Sequence, residues 1–320
     1  MKAMVITKYG GPEVFTEVEF PDPHPGPGQI SIKVSHSSVG LVDAFFRRGM
    51  IPMLQPPFVT GLEVAGTVQE LGEGVTDFRV GEPVVTLSLM SLGGYATVTL
   101  ADAALTVSLD GLNVDPAQAV AALPNAVTAY LALTHIAYIR EGESVLIHGA
   151  IGGLASAFPA VARLLGASRI VGTVRTSTKL EAARELAYDD VFVADKFPTA
   201  VGDERFNVVV DPVGGEILTS SFEVMAPFGR ALLVGNASEQ VATISNNMLW
   251  NKNLGVLGFS IGPYLQANPS FGRPAAQAVL GILAEGKLDL PLTILPLTDV
   301  AEAHRRMDAK EVIGRIVLRP

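Results

Sequence analysis

The chain has 320 residues, of which 48% are hydrophobic and 17% charged, so we expect about two domains with large cores rather than disorder. Its formal net charge is −9 and it lacks a basic stripe, which argues against nucleic-acid and membrane partners. It has no cysteine, which excludes disulfides, a thiol nucleophile and Cys-ligated zinc, and its 5 histidines form no metal-binding pair, so no metal is predicted.

The first third of the chain is predicted to form short strands. Residues 30–34 alternate apolar and polar side chains, and residues 64–68 and 83–87 are similar. Turns rich in proline and glycine separate these strands. Strands at this spacing predict a β-barrel or a strongly bent sheet.

An uncharged stretch over residues 117–139 is long enough to cross a bilayer. It contains Pro124, however, which is expected to break it, and several polar side chains. We therefore predict two buried helices here. Residues 1–8 lack the apolar run of a signal peptide, so a cytoplasmic protein is expected.

Beyond about Pro124, apolar strands alternate with helices. The predicted strands are residues 145–147, 169–174, 191–193, 207–210 and 231–234. The predicted helices are residues 156–165, which Pro159 should bend, 178–186, and 215–226, which Pro227 should end. Such alternation is typical of a parallel sheet with helices on both faces.

After about Gly262 the pattern changes to helix, loop, helix and strand. The helices are predicted at residues 274–284 and 300–307, and the strand at residues 313–318. The simplest topology returns this segment to the N-terminal domain.

A glycine-rich turn at residues 148–154 lies between the first strand and the first helix of the alternating region. Glycine lets the backbone approach a pyrophosphate, and a helix N-terminus offers free N–H groups. A plain turn would also use glycine, but the flanking strand and helix favour a dinucleotide site. The predicted contacts are Ala150, Gly152, Gly153 and Leu154, with Ala155 at the position of a third glycine.

The end of the second strand indicates which dinucleotide is bound. An NAD enzyme places Asp or Glu here to hold the ribose 2′-hydroxyl, but residues 172–179 contain no acid. They contain Thr173, Arg175 and Lys179, which suit a 2′-phosphate. Ordinary surface cations are the alternative, but they would not explain the missing acid, so NADPH is the predicted cofactor.

Several segments along nearly the whole chain together carry a family resemblance. They are residues 61–66, 93–96, 128–130, 142–150, 211–215, 229–231 and 314–318. In this order they resemble the zinc-independent, zeta-crystallin-like quinone oxidoreductase branch of the medium-chain dehydrogenase/reductase superfamily. Zinc-dependent relatives have His where this chain has Leu62 and Cys in the segment that is residues 39–43 here, so the resemblance also implies no catalytic zinc.

The resemblance implies an α/β fold with two domains. Residues 1–123 and 262–320 would form a GroES-like β-barrel catalytic domain, and residues 124–261 a Rossmann domain with a doubly wound parallel sheet that binds NADPH. A substrate cleft between the domains and a homodimer joined through the edge of the last Rossmann strand are also implied.

The resemblance also implies site residues. The further cofactor contacts are Thr128, Val213, Gly235, Asn236, Phe259, Ser260 and Arg315. Many relatives have Tyr where this chain has Phe45 and Ile51, so the tyrosine acid is in doubt and an apolar wall remains. With Met50 and Tyr264 these residues form the predicted substrate pocket, although core packing would also explain Phe45 and Ile51.

The predicted reaction is hydride transfer from NADPH to the β-carbon of a quinone or an enone, an apolar small molecule. The group that assists at the enolate oxygen is unknown, and the side-chain candidates are Thr128, Asn236 and Asn125, with a backbone N–H or water as the alternatives. Asn125 could instead be a helix N-cap, and Asp43 suits a structural anchor better than a base.

Two other functions stay open. A 2-enoyl thioester reductase of lipid or polyketide metabolism would suit an apolar pocket, although the missing tyrosines weigh against it. A non-catalytic NADPH-binding sensor or adaptor is the third possibility, but the acidic chain disfavours RNA and membrane surfaces.

Overall fold

A computed structural model describes residues 1–51, 54–88 and 92–320. The chain divides into two compact units. The first unit comprises Met1–Pro124 and Leu265–Pro320, and the second comprises Asn125–Tyr264.

The described strands pair into sheets within each unit. In chain order they are β1 (Lys2–Ile6), β2 (Phe15–Glu19), β3 (Gln29–Val39), β4 (Phe58–Val59), β5 (Val64–Leu71), β6 (Pro83–Thr86), β7 (Val98–Asp102), β8 (Thr106–Ser108), β9 (Ser144–His148), β10 (Arg169–Val174), β11 (Asp190–Val193), β12 (Phe206–Asp211), β13 (Met225–Leu233), β14 (Gly255–Gly258), β15 (Leu292–Pro296) and β16 (Arg315–Arg319).

The described α-helices connect these strands. In chain order they are α1 (Leu41–Arg48), α2 (Pro116–Leu131), α3 (Phe158–Leu164), α4 (Leu180–Arg184), α5 (Phe197–Ala200), α6 (Gly215–Ser221), α7 (Asn246–Lys252), α8 (Ile261–Ala267), α9 (Gly272–Ala284) and α10 (Val300–Asp308). A π-helix, Ala132–Ile136, follows α2 directly.

The first unit is built on a mostly antiparallel sheet of seven strands, in the order β15-β16-β3-β5-β6-β8, with β7 also paired to β3. The long strand β3 organises this sheet because it pairs with β5, β7 and β16. Ile30, Ile32 and Val34 on one side of β3 enter a core with Val64 and Val84. The alternation read from the sequence therefore places these apolar side chains inside.

The second unit contains a six-stranded parallel sheet in the order β11-β10-β9-β12-β13-β14. Counted along the chain, this order is 3-2-1-4-5-6, that of a doubly wound sheet whose direction reverses between β9 and β12. Val145, Leu146 and Ile147 of β9 are fully buried, as expected for a central strand covered on both faces. The predicted α/β fold class is confirmed.

The uncharged segment forms one helix, so the prediction that Pro124 divides it was wrong. Pro124 lies inside α2 and the helix continues through it. Proline removes one backbone hydrogen bond, but burial of the surrounding side chains offsets that loss. Val120, Leu123 and Val127 have no exposed surface. The span Pro116–Ile136 is apolar enough to cross a membrane, yet 78% of its most apolar window is buried inside the structure, as in a core helix.

The helix predicted over residues 215–226 is shorter than expected, and Pro227 does not end it. Helix α6 ends at Ser221, and Met225–Leu233 is the strand β13. Pro227 is accommodated because the pairing with β12 jumps from Met225 to Arg230, which leaves the intervening residues in a bulge. A proline in a bulge loses no ladder hydrogen bond.

A charged cluster ties α1 to α10 in the first unit. Arg47 is only 1% exposed, and its Nη2 lies 2.7 Å from Asp308 Oδ2. Arg48 Nη2 lies 2.6 Å from the other oxygen. Burial acts to raise the pKa of Asp308, but the hydrogen bonds from Arg47 and Arg48 hold it below 3.8.

We expect Asp308→Asn to lower the free energy of unfolding by about 2 kcal/mol at neutral pH, because it leaves the buried Arg47 without a counter-charge. Since the folded pKa of Asp308 is depressed, the wild-type advantage should be complete well above pH 3.8 and be lost below that value, as the pH falls through the lower folded pKa. Urea unfolding at several pH values measures this difference. The exposed Asp289→Asn is the control, and an Asp308→Asn protein as stable as that control at pH 7 would contradict the expectation.

Candidate functional site

The candidate site lies at the carboxyl ends of β9 and β12, where the doubly wound sheet reverses. Gly149 follows β9 with φ +66°, and a Cβ placed on it would lie 3.5 Å from Val213 Cγ2, just beyond β12. A Cβ on Gly235, beyond β13, would lie 3.0 Å from the Pro212 carbonyl oxygen. Open parallel sheets bind ligands at this kind of crevice. The predicted contacts Val213 and Gly235 thus meet beside the glycine turn.

The glycine turn leaves backbone donors free. The N–H of Gly152 donates to the Gly149 carbonyl at 2.7 Å, and the N–H of Ser156 donates to the Gly152 carbonyl at 2.9 Å. No described residue accepts a hydrogen bond from the N–H of Ile151, Gly153 or Leu154. Such N–H groups at the start of a helical segment attract a phosphate.

The helical segment after the turn begins differently from the prediction. Ala155–Ala157 forms a 3-10 turn, and α3 starts at Phe158. Pro159 therefore occupies the first turn of α3, where its missing N–H has no intrahelical partner to lose. Pro159 is therefore not in the interior of α3, on which the predicted bend depended, and the bend itself stays a prediction. Ala155 at the third glycine position is buried and tolerated.

Buried hydrogen bonds of His148 connect the start of the turn to β10 and α6. His148 at the end of β9 contacts Thr173 Oγ1 through Nδ1 at 2.8 Å and Ser221 Oγ through Nε2 at 2.7 Å. Ser221 donates its own proton to the Ile217 carbonyl, so His148 must donate from Nε2 and accept at Nδ1. Burial lowers the pKa of His148 to about 3, which keeps the ring neutral.

This network corrects the prediction for Thr173. Its side chain has no exposed surface and its hydroxyl is used by His148. The side chain of Thr173 is therefore removed from the predicted phosphate ligands. Sequence alone could not reveal this, because residues 148, 173 and 221 meet only through the sheet.

Two cations lie beyond the end of β10. Arg175 is exposed, and no carboxylate of the described residues forms an ion pair with it. Lys179 is half-buried, and its pKa is lowered first by burial and then by the charge of Arg175. The structure therefore holds two like charges close together, an arrangement that a bound dianion would relieve.

The loops after β12 and β13 are tied to each other. Asp211 Oδ1 accepts from the N–H groups of Val213 at 2.6 Å and Gly214 at 2.9 Å. Asn236, oriented to satisfy its neighbours, donates from Nδ2 to the Val213 carbonyl at 3.2 Å. The same group reaches Ser238 Oγ and the Gln240 carbonyl, also at 3.2 Å. The amide donor of Asn236 is thus committed to the loop, which weakens its candidacy as a donor to substrate.

Phe259 and Ser260 follow the end of β14. The N–H of Phe259 donates to the Leu233 carbonyl at 2.9 Å, which holds Phe259 beside the end of β13; Ser260 is exposed. The Tyr264 ring lies 5.2 Å from the Phe259 ring, and its hydroxyl contacts His135 Nδ1 at 2.7 Å. Tyr264 therefore connects this segment to the π-helix.

Thr128 and Asn125 lie one turn apart on α2, both less than a tenth exposed. Asn125 is in the middle of the helix, so the alternative that it caps a helix N-terminus was wrong. Residues three positions apart share a helix face. These two donor candidates therefore lie side by side.

The other predicted site residues belong to the first unit. Phe45 lies on α1, half-buried, and Met50 and Ile51 follow α1, with Met50 exposed. Arg315 is 8% exposed, and its Nη2 contacts Glu63 Oε2 at 2.7 Å and Ser38 Oγ at 2.8 Å. A cofactor contact from Arg315 stays a prediction.

Asp43 is anchored at the start of α1. Its carboxylate accepts from Thr60 Oγ1 at 2.6 Å and from the N–H groups of Gly61 and Gly40, each at 2.9 Å. Burial raises its pKa. This geometry is that of a structural anchor. Over the described ranges, no group of three or more His, Cys, Asp or Glu could hold a metal ion.

The sequence patterns missed Tyr188. This side chain precedes β11, and its hydroxyl donates to the carbonyl oxygens of Ala150 at 3.1 Å and Ala155 at 3.3 Å. It therefore contacts both ends of the glycine turn. No spacing rule signals it, because the contact depends on the packing of β10 against the turn.

Family models match both parts of the chain. A model described as "Zinc-binding dehydrogenase" matches residues 165–318, and one described as "Alcohol dehydrogenase GroES-like domain" matches residues 26–111. Among curated relatives, a 2-haloacrylate reductase from Burkholderia sp is 33% identical over 99% of this chain and 98% of its own length. A quinone oxidoreductase from Sus scrofa is 31% identical over 99% of this chain and 97% of its own length.

Solved structures give the same assignment. An Escherichia coli quinone oxidoreductase complexed with NADPH superposes with a TM-score of 0.89 at 26% identity, covering 100% of both chains. A 2-haloacrylate reductase superposes with a TM-score of 0.86 at 31% identity, covering 100% of this chain and 99% of its own. The chain therefore belongs to the medium-chain dehydrogenase/reductase superfamily, in its zeta-crystallin-like quinone oxidoreductase branch.

Proposed function

We propose that the chain is an NADPH-dependent oxidoreductase that reduces a conjugated carbonyl acceptor, a quinone or an enone, without a metal ion. One observation carries the proposal. Arg175 and Lys179 are two interacting positive charges, and residues 172–179 contain no acid. They follow the strand next to a glycine turn that has free N–H groups.

The residues fit NADPH rather than NADH. The N–H groups of Gly153 and Leu154 suit a pyrophosphate, and the two cations suit the additional 2′-phosphate. An acid that would hold a free 2′-hydroxyl, and would repel that phosphate, is missing. The solved relative from Escherichia coli contains NADPH, which supports the same cofactor here.

The names of the relatives support a conjugated acceptor. Quinones and acrylates both have a C=C bond conjugated with a carbonyl or carboxyl group, and the relatives are a quinone oxidoreductase and a 2-haloacrylate reductase. NADPH bound at the turn would supply a hydride to the β-carbon of such a bond. The chain must then stabilise charge on the acceptor oxygen and allow a proton to reach the product.

Thr128 is the proposed donor to the acceptor oxygen, with Asn125 beside it on α2. The Thr128 hydroxyl and the Asn125 amide both have N–H or O–H groups, the kind of group that stabilises a developing oxyanion. The chain has no cysteine, so the reaction is proposed to proceed without the thiolate-bound zinc of zinc-dependent relatives. Phe45, Met50 and Ile51 are proposed as apolar contacts of the substrate.

We expect Thr128→Val to lower kcat about 30-fold, or ~2 kcal/mol. This lies below the usual loss for a donor to a developing oxyanion, because water can partly replace the hydroxyl. Steady-state kinetics with a quinone acceptor measure it. Thr134→Val is a matched control, because the Thr134 hydroxyl donates to the Tyr130 carbonyl on the same helical segment. Equal kcat values for the two variants would reject Thr128 as the donor.

The function itself is tested by NADPH oxidation. We expect turnover with a quinone or with an α,β-unsaturated ketone, and a much weaker rate with NADH. Tight NADPH binding without turnover of either acceptor class would reject the reductase and favour a sensor or adaptor.

A 2-enoyl thioester reductase is the second candidate. The chain is 30% identical to part of a mycocerosic acid synthase-like polyketide synthase from Mycobacterium tuberculosis, over 92% of this chain and 14% of that protein. A crotonyl thioester assay separates the candidates. A kcat/KM higher for the thioester than for quinones and enones would exchange their order.

We also propose a cytoplasmic homodimer joined through β14. This strand is at the edge of its sheet and pairs only with β13 among the described strands. On the preceding helix α7, Trp250 is 78% exposed, which is unusual for so large an apolar side chain. Light scattering should give twice the chain mass, and Trp250→Glu should shift the protein toward monomer. A monomeric wild type at micromolar concentration would exclude the dimer.

A further inference from the structure

Tyr188 packs against the glycine turn. Its ring lies beside Gly172 in β10, and a Cβ on Gly172 would lie 3.0 Å from ring carbons of Tyr188 and 2.9 Å from Ala150 Cβ. Only glycine at position 172 lets the ring and the turn come together. The contact is therefore built into β10.

The Tyr188 hydroxyl contacts both ends of the turn. It donates to the Ala150 carbonyl at 3.1 Å and lies 3.3 Å from the Ala155 carbonyl, so one proton is shared between the two acceptors. Burial raises the pKa of this hydroxyl, so it stays a donor at every working pH.

This contact fixes the orientation of one peptide group. In a trans peptide, the carbonyl of one residue and the N–H of the next point in opposite directions. Because the Ala150 carbonyl faces Tyr188, the N–H of Ile151 faces away from it, and no described residue accepts from that N–H. The preceding peptide is fixed as well, since the N–H of Ala150 donates to the Thr173 carbonyl at 2.8 Å.

We propose that Tyr188 is a positioning residue for the cofactor pyrophosphate. Its hydroxyl holds the Ala150 carbonyl away from the phosphates and thereby presents the Ile151 N–H to them. Without the hydroxyl this peptide can rotate and place a carbonyl oxygen, which repels phosphate, in the same position. The inference rests on the proposed NADPH site and adds a side chain that does not itself touch the cofactor.

Tyr188→Phe tests the proposal because it keeps the ring on Gly172 and removes only the hydroxyl. We expect the Kd of NADPH to rise about tenfold, the effect of one lost hydrogen bond, while kcat at saturating NADPH stays within about twofold. Tyr138→Phe, at a tyrosine that is 70% exposed, is the matched control and should leave both values unchanged.

Adenosine 2′-monophosphate separates positioning from general loosening. It carries the 2′-phosphate for Arg175 and Lys179 but has no pyrophosphate. We expect Tyr188→Phe to leave its inhibition constant unchanged while the Kd of NADPH rises. An unchanged Kd of NADPH, or equal weakening of both ligands, would overturn the proposal.

A second variant covers the case in which Tyr188→Phe does not fold. Gly172→Ala keeps the hydroxyl but inserts a methyl group between the ring and Ala150, so it should weaken NADPH and spare adenosine 2′-monophosphate in the same way. If Gly172→Ala binds NADPH as tightly as the wild type does, and binds adenosine 2′-monophosphate as tightly as well, Tyr188 has no positioning role. Wild-type protein that binds neither ligand would instead reject the proposed function, and this inference with it.

Discussion

The double variant Arg175→Ala, Lys179→Ala is expected to raise the KM for NADPH by about 10²–10⁴-fold and to leave the KM for NADH nearly unchanged. Each side chain would form a charge-assisted hydrogen bond to the 2′-phosphate, at about 1.5–3 kcal/mol apiece. NADH lacks this phosphate, so the variant should lose its preference for NADPH over NADH but keep its kcat. Steady-state kinetics with both cofactors and one acceptor measure the change.

Arg184→Ala is the matched control for this experiment. Arg184 is an exposed cation of α4 that pairs with Glu181 at 3.2 Å, so its loss alters net charge without touching the proposed phosphate site. It should leave both KM values close to those of the wild type. A double variant that loses affinity for NADPH and NADH equally would show that Arg175 and Lys179 do not read the 2′-phosphate.

The free energy of unfolding is expected to fall by about 3 kcal/mol between pH 6.5 and pH 5, because two histidines are buried without charge. Burial lowers the pKa of His148 to about 3, and burial, followed by the charge of Arg47, lowers that of His304 to about 3. In the unfolded chain both titrate near 6.5. Below that pH the unfolded chain takes up two protons that the folded chain cannot.

Stability falls as the pH falls because the pKa values of His148 and His304 are depressed in the folded protein. Each histidine contributes up to about 1.4 kcal/mol of lost stability per pH unit, from pH 6.5 down to the folded pKa. Depressed carboxyl pKa values, such as that of Glu302 at about 2, contribute only at lower pH. The exposed His24 has a raised pKa and acts in the opposite direction.

His148→Gln tests the origin of this slope, since Gln can donate and accept hydrogen bonds but does not titrate. We expect the slope of unfolding free energy against pH to fall by about half between pH 6.5 and 5. Urea unfolding at half-unit pH steps measures it, with His24→Gln as the control. A His148→Gln slope equal to that of the wild type would mean that His148 is protonated in the folded protein.

Features that depend on residues close together in the sequence could be predicted from the sequence alone. The glycine turn, its flanking strand and helix, and the cations that replace an acid lie within residues 144–179. Their periodicity and spacing predicted a parallel sheet covered by helices and NADPH as the cofactor, and the parallel sheet is confirmed. Strand β10 has the predicted limits, because its apolar run is bounded by polar residues and the turn.

Errors arose where distant residues decide the local conformation. Pro124 lies within α2 because burial of the surrounding side chains stabilises that helix. Pro227 lies within β13 because the pairing of β13 with β12 has a bulge there. The prediction for Thr173 failed for the same reason, because its hydroxyl is hydrogen-bonded to His148, 25 positions earlier in the chain. Local propensity cannot weigh these tertiary contacts against the loss of one backbone hydrogen bond.

The sequence by itself determined that the turn at residues 148–154 suits a pyrophosphate and that the strand end at residues 172–179 suits NADPH, because those donors and charges are adjacent along the chain. Only the tertiary structure decided how the turn is held. His148 reaches Ser221, and Tyr188 reaches Ala150 and Ala155, across the sheet. The physical reason is that parallel strands bring together residues whose separation in sequence carries no periodic signal.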